Sequence, residues 1–133
     1  MIQANELRLG NYVLHKANHK IVRVAMDYSH FELLAKGEGA LFFPVVLKAE
    51  LFEQCGFLEN KDYPLAPQAR EFKLILPLPG SHQVEIAGYI KSNSEAFARA
   101  VVDNLTLSKN VYHLHQLQNL YFTLSGKELE INS

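Results

Sequence analysis

Six histidines and one cysteine are the side chains of this 133-residue chain best suited to metal binding or covalent chemistry. A metal ion needs several imidazole, thiolate or carboxylate groups brought to one point by their spacing. His113 and His115 stand two residues apart, which on a helix turns them roughly 200° away from each other and only on a strand aligns them. His15 and His19 flank a turn, with Asp27 as the available carboxylate, but no helix carries a His-x-x-x-His pair and no facial triad is written. Cys55 has no cationic company in sequence to lower its pKa, so it reads as a small buried residue. One cysteine also excludes an internal disulfide and the usual cysteine-based zinc sites.

Nucleophile signatures are missing as well. There is no Gly-x-Ser-x-Gly elbow, no phosphate loop and no dinucleotide glycine fingerprint, and Gly37-Glu-Gly39 is hairpin punctuation. The carboxylates are scattered without an acid and base pairing. No catalytic residue, metal or cofactor is therefore assigned.

Binding chemistry is better represented. Around the first predicted turn, His15, Lys16, His19, Lys20 and Arg23 gather near Tyr12 and Tyr28, a mixture suited to phosphate contact and base stacking. The same lysines equally serve to keep an edge strand from aggregating. A second candidate is a polar strip, His115, Gln116, Asn119 and Thr123, on an otherwise apolar helix. It reads as the solvent face and as a surface for a protein partner or a second copy, or as a cap on an adjoining sheet through amide hydrogen bonds. Exposed edges at 40–46 and 127–131 would add unpaired backbone to either partner.

The elements that must position these residues follow from periodicity. Over 111–124, Val111, Leu114, Leu117, Leu120, Tyr121, Phe122 and Leu124 cover more than half of a helix turning about 100° per residue. Gly126 stands where a left-handed glycine ends a helix, and 127–131 alternates as a terminal edge strand. His113 and Gln118 fall inside the apolar arc, where an unpartnered polar group costs about 1 to 3 kcal/mol, so both are expected to be hydrogen-bonded.

Upstream, 11–15, 21–26, 30–34 and 40–46 read as four short strands with hairpin-length turns, an SH3-like β-meander or barrel, with Pro44 marking an edge or an end. Residues 47–55 read as a helix stopped by Gly56. A polar connector, 59–68, separates lobes 1–58 and 69–133 of a single domain. Strands at 71–76 and 82–90 pair as a hairpin around a turn at 77–81. Ser94 and the run after it, with Phe97, Ala98, Val101, Val102 and Leu105 on one side, favour a capped helix over 94–105, with a strand as the alternative.

The run His113-Leu-His-Gln-Leu-Gln-Asn-Leu-Tyr-Phe-Thr-Leu-Ser-Gly-Lys-Glu-Leu129 resembles the C-terminal signature of a family of small uncharacterised proteins of Bacteroidota, often found near prophages and other mobile elements. The likeness extends to Ala4-Asn-Glu-Leu-Arg-Leu-Gly-Asn-Tyr-Val13 and to Leu47-Lys-Ala-Glu-Leu-Phe-Glu-Gln-Cys-Gly-Phe57. It implies kinship and a setting near mobile elements, and it implies no activity. Members of that family read as extended just before the signature, which is what keeps the strand alternative at 94–105 open.

Thirteen basic and fourteen acidic side chains give a net charge of −1, so no global field favours a polyanion. With 48% apolar and 20% charged residues the composition is that of a globular protein. No apolar run reaches the roughly 20 residues of a membrane span, and the first residues lack a secretory signal, so a cytoplasmic protein is expected. The sequence as a whole reads as an α+β chain, its N-terminal β-meander followed by a small antiparallel sheet packed on a C-terminal helix. The function read from it is a non-enzymatic binding or adaptor protein, an accessory of a mobile element. Nucleic-acid binding at the first hairpin ranks second, and a hydrolase or metal enzyme third.

Overall fold

The computed structural model of the chain describes residues 2–61, 69–80 and 82–132. It is an α+β structure with two antiparallel sheets, one of three strands and one of five. The first hairpin forms as its sequence dictates. β1 (Tyr12–Ala17) and β2 (Lys20–Ala25) are joined by Asn18 and His19, both at positive φ, in the two-residue turn whose twist matches the strands.

The next segment departs from expectation. Residues 28–35 form a helix, α1 (Tyr28–Ala35), where a third strand is predicted over 30–34. The reason is Asp27, whose Oδ1 accepts from the backbone N–H groups of Ser29 and His30 at 2.9 and 3.3 Å, an N-cap that outweighs the alternation of 30–34. The predicted strand over 40–46 shrinks to β3 (Phe42–Phe43), stopped by Pro44 after a 3-10 turn at Gly39–Leu41. With the order β2-β1-β3 the sheet stays open, and the expected barrel does not close. One face of the hairpin is covered by Ile2, Leu7, Met26 and Phe42, with Phe31 and Leu34 of α1 packed against them.

The second sheet runs β4-β5-β6-β7-β8: β4 (Leu58–Glu59), β5 (Arg70–Ile75), β6 (Val84–Ile90), β7 (Ala96–Val102) and β8 (Leu105–Thr106). The hairpin of β5 and β6 is the expected one. The two-residue β4 is held by a bidentate pair, Arg70 Nε and Nη2 donating to Glu59 at 2.8 Å each, and the guanidinium keeps the Glu59 carboxyl down at about 2. Of the connector over 59–68, residue 59 thus belongs to the sheet, and 62–68 lie outside the described residues, as does Ser81 of the 77–81 turn.

Residues 94–105 are not a helix. Ser94 sits at φ 71 in a tight turn, its N–H bonded to Lys91 O, and the chain leaves it as a strand. Ala96, Ala98 and Ala100 alternate inward and are buried, while Phe97 and Arg99 alternate outward. The period is two, and the small inward residues disguise it. A second turn of two positive-φ residues, Asp103 and Asn104, leads into β8.

α2 (Ala49–Gln54) and α3 (Leu114–Ser125) cover the inner face. Leu47, Leu51, Phe52 and Cys55 meet Phe72 and Ile86 of the sheet and Leu114 and Leu117 of α3 in one apolar cluster. The helix predicted over 47–55 therefore belongs to the larger core, although its sequence position is in the first lobe. Each such large side chain, fully buried, contributes about 1.5 to 3 kcal/mol. Gly56 and Gly126 follow the helices at φ 86 and 72, in the left-handed conformation that stops a helix, and Gly126 N–H bonds Phe122 O at 2.8 Å. The tail over 127–131 forms no strand; Leu129 is buried, and Asn132 N–H donates to Gln54 O beside α2. Among the described residues no helix is long and apolar enough to cross a membrane.

Candidate functional site

The polar strip of α3 does not face water as predicted. His115 is completely buried, and its Nε2 lies 2.9 Å from Glu6 Oε1. Asn119 Oδ1 accepts from Arg8 Nε at 2.7 Å and Asn11 Nδ2 at 2.9 Å, and its Nδ2 donates to Glu6 O at 2.9 Å. Gln116 Oε1 accepts from the N–H groups of Tyr112 and His113, satisfying backbone at the start of α3. Of the four residues only Thr123 is exposed. Gln118, expected to be buried with partners, accepts from Tyr12 N–H at 2.8 Å and donates to Gly10 O at 3.2 Å.

These bonds form a clasp between residues 6–12 and α3. Arg8 completes it, bonding Glu128 at 2.7 Å and lying 4.2 Å from the Phe122 ring centroid. An N-terminal segment rich in hydrogen-bonding groups needs a polar wall, and the helix supplies it. Residues 4–13, 47–57 and 113–129 are the stretches that meet in the clasp and the main core.

The two histidines of the signature are brought together after all. His113 is the N-cap of α3, with extended backbone at φ −125 and ψ 152, so the helical angle between positions 113 and 115 does not apply. Their rings stack 5.9 Å apart at 8°. Burial, and then the neighbouring His115, hold the His113 pKa below its ordinary value. A cleft of about 400 Å³ opens at His113, bounded by Val46, Ser94, Glu95 and Tyr112. The imidazole lies on a cleft wall, with no hydroxyl or thiol nucleophile bonded to it among the described residues. Nor do three or more His, Cys, Asp or Glu side chains there form a group able to hold a metal ion. Cys55 is buried, and burial pushes its thiol up to about 12 despite the opposing charge of Arg23.

The first hairpin is where exposed binding groups remain. Register puts Tyr12, Lys16, Ile21 and Arg23 on one face and His15, Lys20 and Val22 on the other. Arg23 lies over the Tyr12 ring at 5.2 Å. His15 stacks on Phe42 at 4.6 Å and meets His30 edge-on at 5.2 Å, so it belongs with the smaller core and with α1, away from His19. Lys16, His19 and Lys20 are exposed around the turn, whereas Tyr28 stands apart on α1, 76% exposed. The six residues offered for nucleic acid are therefore divided between two faces and a separate helix.

β2 itself is an edge strand, exposed along almost its whole length, with Ile21 at 57% and Val22 at 48%. Val22 and Lys20 pair with β1 through alternate ladder bonds, which leaves the N–H and C=O groups of Ile21, Arg23 and Ala25 directed outward. Comparison with protein-family models, with curated proteins and with solved structures finds no match.

Proposed function

We propose that the chain is a non-catalytic, polypeptide-binding module, in which an extended acidic segment of another protein adds to the first sheet along β2. The observation that carries this reading is the exposed β2 edge with its two large apolar side chains. Strand addition draws affinity from main-chain hydrogen bonds and selectivity from alternate side chains. Here Ile21 and Val22 would meet apolar residues on opposite faces of the added strand. Lys16, Lys20 and Arg23 supply positive charge, and no acidic residue lies between Tyr12 and Met26. The partner is acidic for that reason. The resemblance of the terminal segments to proteins found near mobile elements supports a role as a cytoplasmic accessory of such an element.

A random peptide library displayed on phage tests the proposal. Enriched peptides are expected to be acidic and to alternate apolar residues, and to lose binding to Arg23→Pro. That variant removes an outward N–H without breaking a ladder bond. Peptides that bind Arg23→Pro as well as the parent would sink the reading.

Nucleic acid is the second reading, favoured by the same three cations. It predicts oligonucleotide affinity that falls steeply with salt and is abolished by Glu at Lys16, Lys20 and Arg23. The division of those cations between two faces, with Tyr28 on α1, favours the polypeptide.

A further inference from the structure

The outer face of the five-stranded sheet, opposite the helices, contains a dip of about 110 Å³. Register sets Lys73, Ala87 and Arg99 side by side on β5, β6 and β7, and the single methyl of Ala87 between two long side chains makes the hollow. Arg99 lies over the Tyr89 ring at 5.1 Å. Its Nε is shut off from solvent and has no acceptor among the described residues. Arg8 and Arg70, comparably half-buried, each hold a carboxylate, Glu128 and Glu59. Arg99 holds none.

Across the dip the shortage is reversed. Glu71 and Glu85 share the single ammonium of Lys73, at 4.0 and 3.7 Å, and Asn60 Nδ2 donates to Glu71 at 2.9 Å and Gln83 Nε2 to Glu85 at 3.5 Å. One side is short of an acceptor and the other sets two carboxylates against one cation, while the two carboxylates and two cations sum to zero charge. A simple anion would meet the carboxylates and a simple cation would meet Lys73 and Arg99. A ligand that carries both charges meets neither penalty.

We propose that this dip binds a small zwitterionic amino-carboxylate, of the class of a free amino acid with a small side chain. Its carboxylate takes the paired Nη donors at the end of the Arg99 guanidinium, whose spacing matches it, and its ammonium turns toward Glu71 and Glu85. Stacking on Tyr89 fixes the plane of the guanidinium. The dip lies on a different sheet from β2, so this site stands independently of peptide binding.

The test is a titration of the full chain with L-alanine, followed in ¹H–¹⁵N spectra, with acetate and methylammonium as separate arms. The Nε–Hε signal of Arg99 and the Ala87 amide are expected to shift saturably with alanine. Acetate and methylammonium should each bind weaker by about tenfold or more. Ala87→Leu, which fills the hollow and leaves the guanidinium in place, should remove the response, and so should Arg99→Gln; either variant suffices should the other not fold. Shifts that never saturate, an acetate response as strong as that of alanine, or a response that survives in Ala87→Leu would each overturn the proposal.

Discussion

Phe52 and Gly88 compete for one space. The Phe52 ring is fully buried against the inner face of β6, and a methyl group at position 88 would stand 2.6 Å from its Cε1. Gly88→Ala should therefore cost about 1 to 3 kcal/mol, as overpacking does, and lower the urea midpoint; the double variant with Phe52→Leu should recover part of the loss. Nothing in the spacing around Gly88 announced this, because the intruding ring comes from another element. Histidines tell a similar story. His15 and His113 titrate below their ordinary 6.5 in the folded chain, chiefly because burial penalises the charged ring, with His30 and His115 adding repulsion. Below pH 6.5 the unfolded chain takes up these protons before the folded one does. Their contribution to stability is thus complete above that value and declines as pH falls through the folded pKa values. Urea midpoints measured above and below 6.5 should show the fall, and His15→Phe, which keeps an aromatic ring beside Phe42, should flatten it. An unchanged slope would remove His15 from the account. The sequence read Cys55 as buried, as it is, but it paired His15 with His19, because the packing of α1 that brings in His30 is a tertiary fact.

Elements were legible where a local rule was unopposed. The first hairpin, the 71–90 hairpin and the glycines after α2 and α3 stand where periodicity and turn chemistry put them, although the turn expected over 16–20 narrows to Asn18 and His19. α1 and β7 were misread for opposite reasons. In α1 a cap four residues ahead of Phe31 overrules an alternating pattern, and in β7 three alanines make a strand look like a helix former. The clasp is an element-scale feature too, since one amide on α3 bonds three groups of the N-terminal segment. Asn119→Ala would strand Arg8 Nε, Asn11 Nδ2 and Glu6 O at once. A loss of about 1 kcal/mol is expected for such part-buried groups left without partners. Hydrogen exchange should localise it, with faster exchange at residues 6–12 and little change in β5–β7. Uniform acceleration across the sheet would mean that the clasp is not a separate unit.

At the scale of the molecule, two apolar clusters are joined by polar recognition. The smaller lies under the first hairpin and the larger between the second sheet and its helices, with the clasp bridging them. Composition predicted a core of this extent, but the balance of charge concealed how unevenly cations are placed. Net charge is near zero while the first hairpin is locally basic, and that contrast is what the peptide-selection experiment reads out. The hairpin's cations were visible in the sequence; the bare edge beside them was not, since it depends on the third predicted strand having become a helix. The clasp also orders events during synthesis. Residues 6–12 leave the ribosome long before the wall they bind, so they must wait, uncovered, until residue 125 has emerged. A nascent chain stalled ahead of that point would present residues 6–12 to chaperones and proteases, and only the emergence of α3 would withdraw them.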